Sequence, residues 1–278
     1  MGHTLTLVTP SFNQGKFIEE TLSSVVAQRE HIHEYFVVDG GSTDETISHI
    51  ERHEKYIDWW VSESDRGQAD AIHKGFAKAT GSLIGWLNSD DLILPGAIPE
   101  VLSTFDRYPS CDVVSGYLAL IDEDSKVISL PRVPSGNSLL ARGGLIQVSQ
   151  QASFFKKSLY EKVGGLDIDL HCAMDMDLWA RFYLNMTAWK HIPSFLAAFR
   201  KHSEAKGSGN SWWDNYQREK AIIRSRYPDL YGGKSPGMLV KMVYRFGQVA
   251  SGRQMLSNIL TARYQGKTIT SVFPPPDQ

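Results

Sequence analysis

The sequence predicts an α/β fold, a mostly parallel, doubly wound central sheet flanked by helices. Two observations carry that expectation. Strand-like apolar runs alternate with helix-period segments through the first hundred residues. Polar or acidic turns follow three of those runs, at the strand ends where such sheets bind ligands.

The elements read in order as follows. Thr4–Val8 is strand-like. Lys16–Gln28 has helical period through Phe17, Ile18, Leu22, Val25 and Val26. Tyr35–Val38 is a second apolar strand, and Ser42 or Thr43 caps a helix to about His53. Asp58–Ser62 is a short edge-like segment. Gln68–Ala79 is helical and stops at Thr80-Gly81, before the Leu83–Leu87 strand. The second half is more mixed. Asp112–Tyr117 and Lys126–Leu130 read as strands around an Asp122-Glu123-Asp124 turn, and Pro193–Phe199 is strand-like. Helices are expected from Leu159, ending at Gly164-Gly165, over Met174–Leu184 and over Trp212–Arg226. The glycine-rich stretch 136–148 carries no assignment.

The chain has 278 residues, 42% of them hydrophobic, which suffices for a full core in one large domain or in a domain with an appendage. We place the first unit at residues 1–231 and a C-terminal extension at 232–278. That extension opens with linker character over 232–237. From Gly232 to Thr270 it carries six basic residues and no acidic one. Leu239, Met242, Val243, Phe246 and Val249 recur at helical spacing, with Lys241 and Arg245 on another face. Such a helix either docks on the domain or lies on an anionic membrane. The formal charge of −2 gives no sign of a nucleic-acid partner. Two distant cysteines, Cys111 and Cys172, fit neither a disulfide framework nor a zinc site, and agree with a reducing cytoplasm. A strand starts almost at once, so a cytoplasmic location without signal peptide or membrane span is expected.

The run Trp86-Leu87-Asn88-Ser89-Asp90-Asp91 is the most informative. Oxygen ligands gathered at a strand end suit Mg²⁺ or Mn²⁺, which are commonly shared with a diphosphate. Crowded carboxylates repel, so a positive group is expected among them. A solvated turn with a helix cap is the bland reading. Thr9-Pro10-Ser11 and Asp39-Gly40-Gly41-Ser42 end two further strands, and the three turns converge on one crevice.

At this point the chain resembles the inverting family 2 glycosyltransferases of GT-A fold, with their Rossmann-like nucleotide-sugar-binding sheet. The resemblance covers roughly residues 4–205. It rests on Val8-Thr9-Pro10-Ser11-Phe12-Asn13, Val38-Asp39-Gly40-Gly41-Ser42-Thr43-Asp44, Ser62-Glu63-Ser64-Asp65-Arg66-Gly67, Asn88-Ser89-Asp90-Asp91 and Met174-Asp175-Met176-Asp177-Leu178-Trp179, in that order. Residues 62–91 look like the subgroup that builds bacterial surface polysaccharides. The resemblance implies transfer of a sugar, with inversion, from a nucleoside diphosphate sugar (UDP before GDP or dTDP) to a hydroxyl of a saccharide or lipid-linked acceptor. It implies that Thr9, Pro10 and Ser11 lie along the nucleotide and that Asp39 accepts a hydrogen bond from the base. Asp65 and Arg66 would frame the base or diphosphate. Asn88, Ser89 and Asp91 would line the donor site, with Asp91 supporting it or meeting the sugar. Asp90 would ligate the divalent cation, Asp175 would be the catalytic base, and His202 would close over the donor and complete the metal shell. Two positions depart from the pattern: Asn88 stands where the family has Asp, and Met174 where it usually has Glu.

Several residues carry two readings. Asp177 either caps its helix or pairs with Arg181 one turn on. His73 and Lys74 are solvated helix positions or face the donor. Residues 207–210 could form a lid. Trp212, Trp213 and Tyr216 pack a helix on the core or form an acceptor platform. Two other functions stay open: a non-catalytic nucleotide-sugar-binding module, and a sugar nucleotidyltransferase, for which residues 10–15 are poor in glycine.

Overall fold

The computed structural model describes residues 2–133, 148–203, 210–231, 242 and 252–275. β1 (Leu5–Ser11), α1 (Ile18–Val26), β2 (Glu34–Asp39), α2 (Thr46–His53), β3 (Trp59–Ser62), α3 (Gln68–Lys78) and β4 (Leu83–Trp86) follow the expected alternation. Next come β5 (Leu92–Ile93), α4 (Ala97–Arg107), β6 (Val113–Ile121), β7 (Val127–Ser129), β8 (Ser153–Lys156), α5 (Lys157–Lys162), α6 (Met174–Asn185) and β9 (Trp189–Arg200). α7 (Asn210–Arg226), α8 (Pro228–Tyr231), α9 (Arg253–Tyr264) and α10 (Ile269–Val272) complete the described elements.

The strands form one sheet in the order β3-β2-β1-β4-β8-β6-β9-β5, with β7 paired to β6. The half from β3 to β4 is parallel throughout. β8 then enters antiparallel to both β4 and β6, while β6 and β9 run parallel to each other. Side chains of the parallel strands alternate between faces. Val8, Phe36, Val38, Ile84 and Trp86 face the layer of α3, α5 and α6. Leu5, Leu7, Tyr35, Val37 and Leu83 face the layer of α1, α2 and α4. Gly75 lets α3 sit against β1, since a Cβ there would stand 2.6 Å from Val8 Cγ1.

Three expectations shift. α2 starts at Thr46 rather than after Ser42 or Thr43, because the Ser42 hydroxyl is committed to Asp39. β9 begins at Trp189, and its register with β6 slips between His191 and Phe195, where Pro193 has no N–H to give the ladder. α4, β5 and β8 had no counterpart in the sequence reading.

α9 and α10 lie against β7 and the β6–β9 pair. Ile269 is buried with Leu92, Ala119, Val127, Leu130 and Ala198. Leu130 N–H donates to Thr261 Oγ1 at 3.0 Å, and Ile269 N–H to the Ser125 carbonyl at 2.8 Å. Of the amphipathic segment expected before α9, only Met242 is described, and it is exposed. The rest of that segment, the 232–237 stretch and residues 207–209 fall outside the described residues. No helix among the described residues is long and apolar enough to cross a membrane.

Candidate active site

The carboxyl ends of β1, β2, β3 and β4 meet the end of β9 and the loop leading into α6. Asp90 closes the turn after β4, and His202 follows β9. Their side chains face each other with Asp90 Oδ2 and His202 Nε2 3.1 Å apart. The His202 side chain is 2% exposed and that of Asp90 16%. Phe17 packs on the imidazole, with ring centres 4.4 Å apart.

Asp91 is fully buried. Its carboxylate accepts hydrogen bonds from Arg200 N–H, the Asn88 side-chain amide and the Gln151 side-chain amide, at 3.0, 3.1 and 3.0 Å. Burial, and next the charge of Asp90, push its pKa well above the usual carboxylate range. The Asp91 carboxylate is thus held within the turn by three hydrogen bonds. Asn88 Oδ1 accepts from Gln68 Nε2 at 2.6 Å, which ties the turn to α3. Ser89 is buried beside them.

Arg200 lies beneath the turn and is wholly buried, but its guanidinium meets the main chain of the turn and not the carboxylates of Asp90 or Asp91. Its Nε donates to the Asp90 carbonyl at 2.9 Å. Nη1 donates to the Asp122 and Glu123 carbonyls and to Ser125 Oγ, and Nη2 pairs with Glu20. This single guanidinium links β9, α1 and the 122–125 turn to the acidic loop. Nothing in the sequence reading singled it out, although a basic residue closing an apolar strand is a signal when carboxylates await a partner.

At the end of β1, Thr9 is buried with its hydroxyl 3.0 Å from that of Tyr35, and Pro10 is buried too. Ser11 Oγ is buried and has no hydrogen-bond partner among the described residues. Asp39 is wholly buried. It accepts from Gly41 N–H, Ser42 N–H, Ser42 Oγ and Ser62 Oγ at 3.0, 2.8, 2.5 and 2.7 Å. These bonds shape the loop after β2, so a base would have to displace one of the two hydroxyls to reach this carboxylate. Phe12, at the mouth of the same strand end, is 59% exposed. Asp65 accepts from Gly67 N–H at 2.7 Å and lies against Gly40, where a Cβ would stand 2.9 Å from its carboxylate oxygen. Arg66 is exposed and reaches Asp169 at 3.9 Å.

That contact brings the 65–67 loop beside the loop before α6. Gly67, with φ +110°, also lies close to the His171 ring. Asp175 sits in the first turn of α6, and its Oδ1 accepts from Met176 N–H at 2.7 Å. One turn further on, Trp179 stacks on Trp86 at the end of β4, with ring centres 6.2 Å apart and planes at 12°. This stacking sets α6 over the β4 strand end. The N-terminus of α6 is held from α7: the Glu219 carboxylate accepts from His171, Cys172 and Ala173 N–H at 2.9, 2.8 and 2.8 Å. Asp177, by contrast, is buried and bound to Arg181 Nη2 at 2.6 Å and to Tyr227 at 2.9 Å, the structural role. His73 is exposed, and Lys74 pairs with Glu63 at 2.9 Å. Glu219, Gln68, Gln151 and Phe12 are further residues to which sequence reasoning gave no role.

Among the described residues, no three His, Cys, Asp or Glu side chains gather into a metal cage. One carboxylate and one imidazole remain as candidate ligands. That set fits a divalent ion that takes few protein ligands and completes its shell from diphosphate oxygens and water.

Comparison with known proteins agrees with this geometry. The model of glycosyl transferase family 2 matches residues 6–164. An uncharacterized glycosyltransferase of Mycobacterium tuberculosis is 31% identical over 183 residues, 64% of this chain and 68% of that one. A poly-beta-1,6-N-acetyl-D-glucosamine synthase of Staphylococcus aureus is 23% identical over 175 residues, 60% of this chain and 42% of the synthase. Among solved structures, S. aureus TarS superposes with TM-score 0.63 and 18% identity over 80% of this chain, which spans only 39% of that TarS chain. A mannosyltransferase of Pyrobaculum calidifontis, solved with GDP-Man and Mn²⁺, covers 94% of this chain and 80% of its own at TM-score 0.56 and 17% identity. The fold is thus the GT-A fold, and the chain belongs to glycosyl transferase family 2.

Proposed function

We propose that this glycosyltransferase moves a sugar from a nucleoside diphosphate sugar, a UDP-sugar first, to an acceptor hydroxyl with inversion, in bacterial polysaccharide or glycoconjugate synthesis in the cytoplasm. The observation that carries the reading is the meeting of Asp90 and His202 at 3.1 Å at the strand ends, with the α6 helix of Asp175 set over the same end by the Trp86–Trp179 stack. Two similarities support the donor class. TarS fragments have been solved with UDP and with UDP-GlcNAc.

In this reading Asp90 and His202 hold a Mn²⁺ or Mg²⁺ ion. Bound there, the ion would offset negative charge on the departing diphosphate. Phe12 offers its exposed ring to the base, and Ser11 Oγ is a free donor beside it. Asp65 and Arg66 flank the donor. Asp175 takes the proton of the acceptor hydroxyl as it attacks the anomeric carbon from the face opposite the diphosphate. A single displacement needs no covalent nucleophile. A lipid-linked acceptor at the inner membrane face draws support from α9, where exposed Met255, Leu256 and Ile259 lie near Arg253 and Arg263.

Calorimetric titration with UDP, GDP and dTDP, each with and without Mn²⁺, tests the donor site. Metal-dependent binding of one nucleotide is expected. Equal binding without metal would remove Asp90 and His202 from the ligand role. No binding of any nucleotide would favour a non-catalytic module.

A further inference from the structure

α7 turns Tyr216, Glu219 and Ile223 toward the protein and carries Trp212 and Trp213 one turn before them. Ile223 is fully buried, and Glu219 grips the main-chain N–H groups of residues 171–173, just ahead of Asp175. Tyr216 lies one turn before Glu219 and packs, half-buried, against the core cluster to which α6 contributes Met174, Leu178 and Trp179. Burial, and next the nearby Asp175 charge, raise its phenol above the usual range. Trp212 stacks on Tyr216 with ring centres 5.1 Å apart and planes at 8°. Trp213 lies 5.6 Å from Tyr216 at 30°. Trp213 is 54% exposed. Three rings are thus fixed to one another, anchored at their inner end beside Asp175, and open to solvent at their outer end.

Trp213 thus offers solvent an aromatic face whose orientation its neighbours fix. The occupant follows from position. Whatever lies there adjoins the carboxylate that receives an acceptor hydroxyl, so it must carry hydroxyls and also show an apolar face to indole. A pyranose ring has both, with its axial C–H groups forming one face and its hydroxyls the rim. A linear polyol has no such face. We propose that the Trp212–Trp213–Tyr216 step is an acceptor subsite that stacks a pyranose ring of an acceptor saccharide. The proposal rests on the reading of Asp175 as the base.

Saturation-transfer NMR tests it, with methyl β-D-glucopyranoside and ribitol as probes, in the presence of UDP and Mg²⁺. Ring protons of the glucoside are expected to take up saturation, and ribitol far less. Trp213→Ala should reduce the glucoside signal roughly fivefold, and Trp213→Phe should retain most of it. Trp213 is exposed, so neither change opens the core, and thermal melting verifies this. An unchanged glucoside signal in Trp213→Ala, or equal saturation of ribitol, overturns the subsite whatever Asp175 does. Full turnover by Asp175→Asn alongside loss of the signal in Trp213→Ala would strike the base assignment and leave the sugar platform standing.

Discussion

Asp90 Oδ2 and His202 Nε2 lie 3.1 Å apart, although 112 residues separate them in the chain. The pair joins the end of β4 to the end of β9, and the side chains are too enclosed to be casual surface neighbours. Asp90→Ala and His202→Ala should each weaken metal-assisted UDP binding by about 10–100-fold. Calorimetry with and without Mn²⁺ measures this. A variant that keeps the full metal increment removes its residue from the ligand set.

Asp175→Asn should keep the shape of the first turn of α6 and lose the proton acceptor. A fall in kcat of about 10²–10⁴-fold is expected, with nucleotide affinity little changed. Single-turnover transfer and UDP titration separate the two effects. Turnover at the wild-type rate would exclude Asp175 as the base.

Gly40→Ala places a methyl group 2.9 Å from an Asp65 carboxylate oxygen. Asp65 can yield because it is the end of a side chain, so the protein should fold with a near-normal melting temperature. UDP binding should weaken, because the 65–67 loop moves with that carboxylate. Unchanged affinity would take Asp65 out of the donor site.

Arg200→Met should be the most damaging of these changes. It strips partners from the carbonyls of Asp90, Asp122 and Glu123 and from Ser125 Oγ, all beneath the site. The expected cost is about 3–5 kcal/mol. That corresponds to a melting temperature lower by roughly 6–15 °C for a chain of this size. Loss below about 1 kcal/mol would contradict the buried network.

Asp44 gives a pH test of the loop beside Phe12. Burial alone would raise its carboxyl, but hydrogen bonds from the Thr46 hydroxyl, Gly15 N–H and Thr46 N–H outweigh it and hold the pKa below the usual value. The folded pKa is thus lower than the unfolded one. Its stabilisation is present above the ordinary carboxylate range and is lost as pH falls through the lowered folded value. Asp44→Asn should flatten that part of the stability profile in acid denaturation.

The parallel half of the sheet was legible because its strands are apolar runs that end in turn residues, and each helix between them keeps a 3.6-residue period. β8 and β5 were not. Ser153–Lys156 and Leu92–Ile93 are too short to show a period, and their pairing is decided by partners far away in sequence. The acidic turn at 88–91 could be found by residue type alone. Residue type alone did not tell its two aspartates apart; the resemblance gave Asp90 the cation and left Asp91 two roles, and the fold then shows Asp91 fully buried and Asp90 partly open. Arg200 and Glu219 escaped for the same reason. Most of their partners are main-chain groups, which leave no mark in a sequence.

The buried contact of Asp91 with Arg200 spans 109 residues, and this orders events during synthesis. The strands β1 to β4 are complete by residue 86, and a growing chain can pair them while the rest is still being made. The acidic turn leaves the ribosome soon afterwards, but its cation and its histidine arrive more than a hundred residues later. Until then Asp90 and Asp91 stand together without Arg200 to bind them. A nascent chain that stops short of residue 200 therefore lacks both the N–H that Asp91 accepts from and the imidazole that faces Asp90, so the acidic turn reaches its observed partners only as β9 docks.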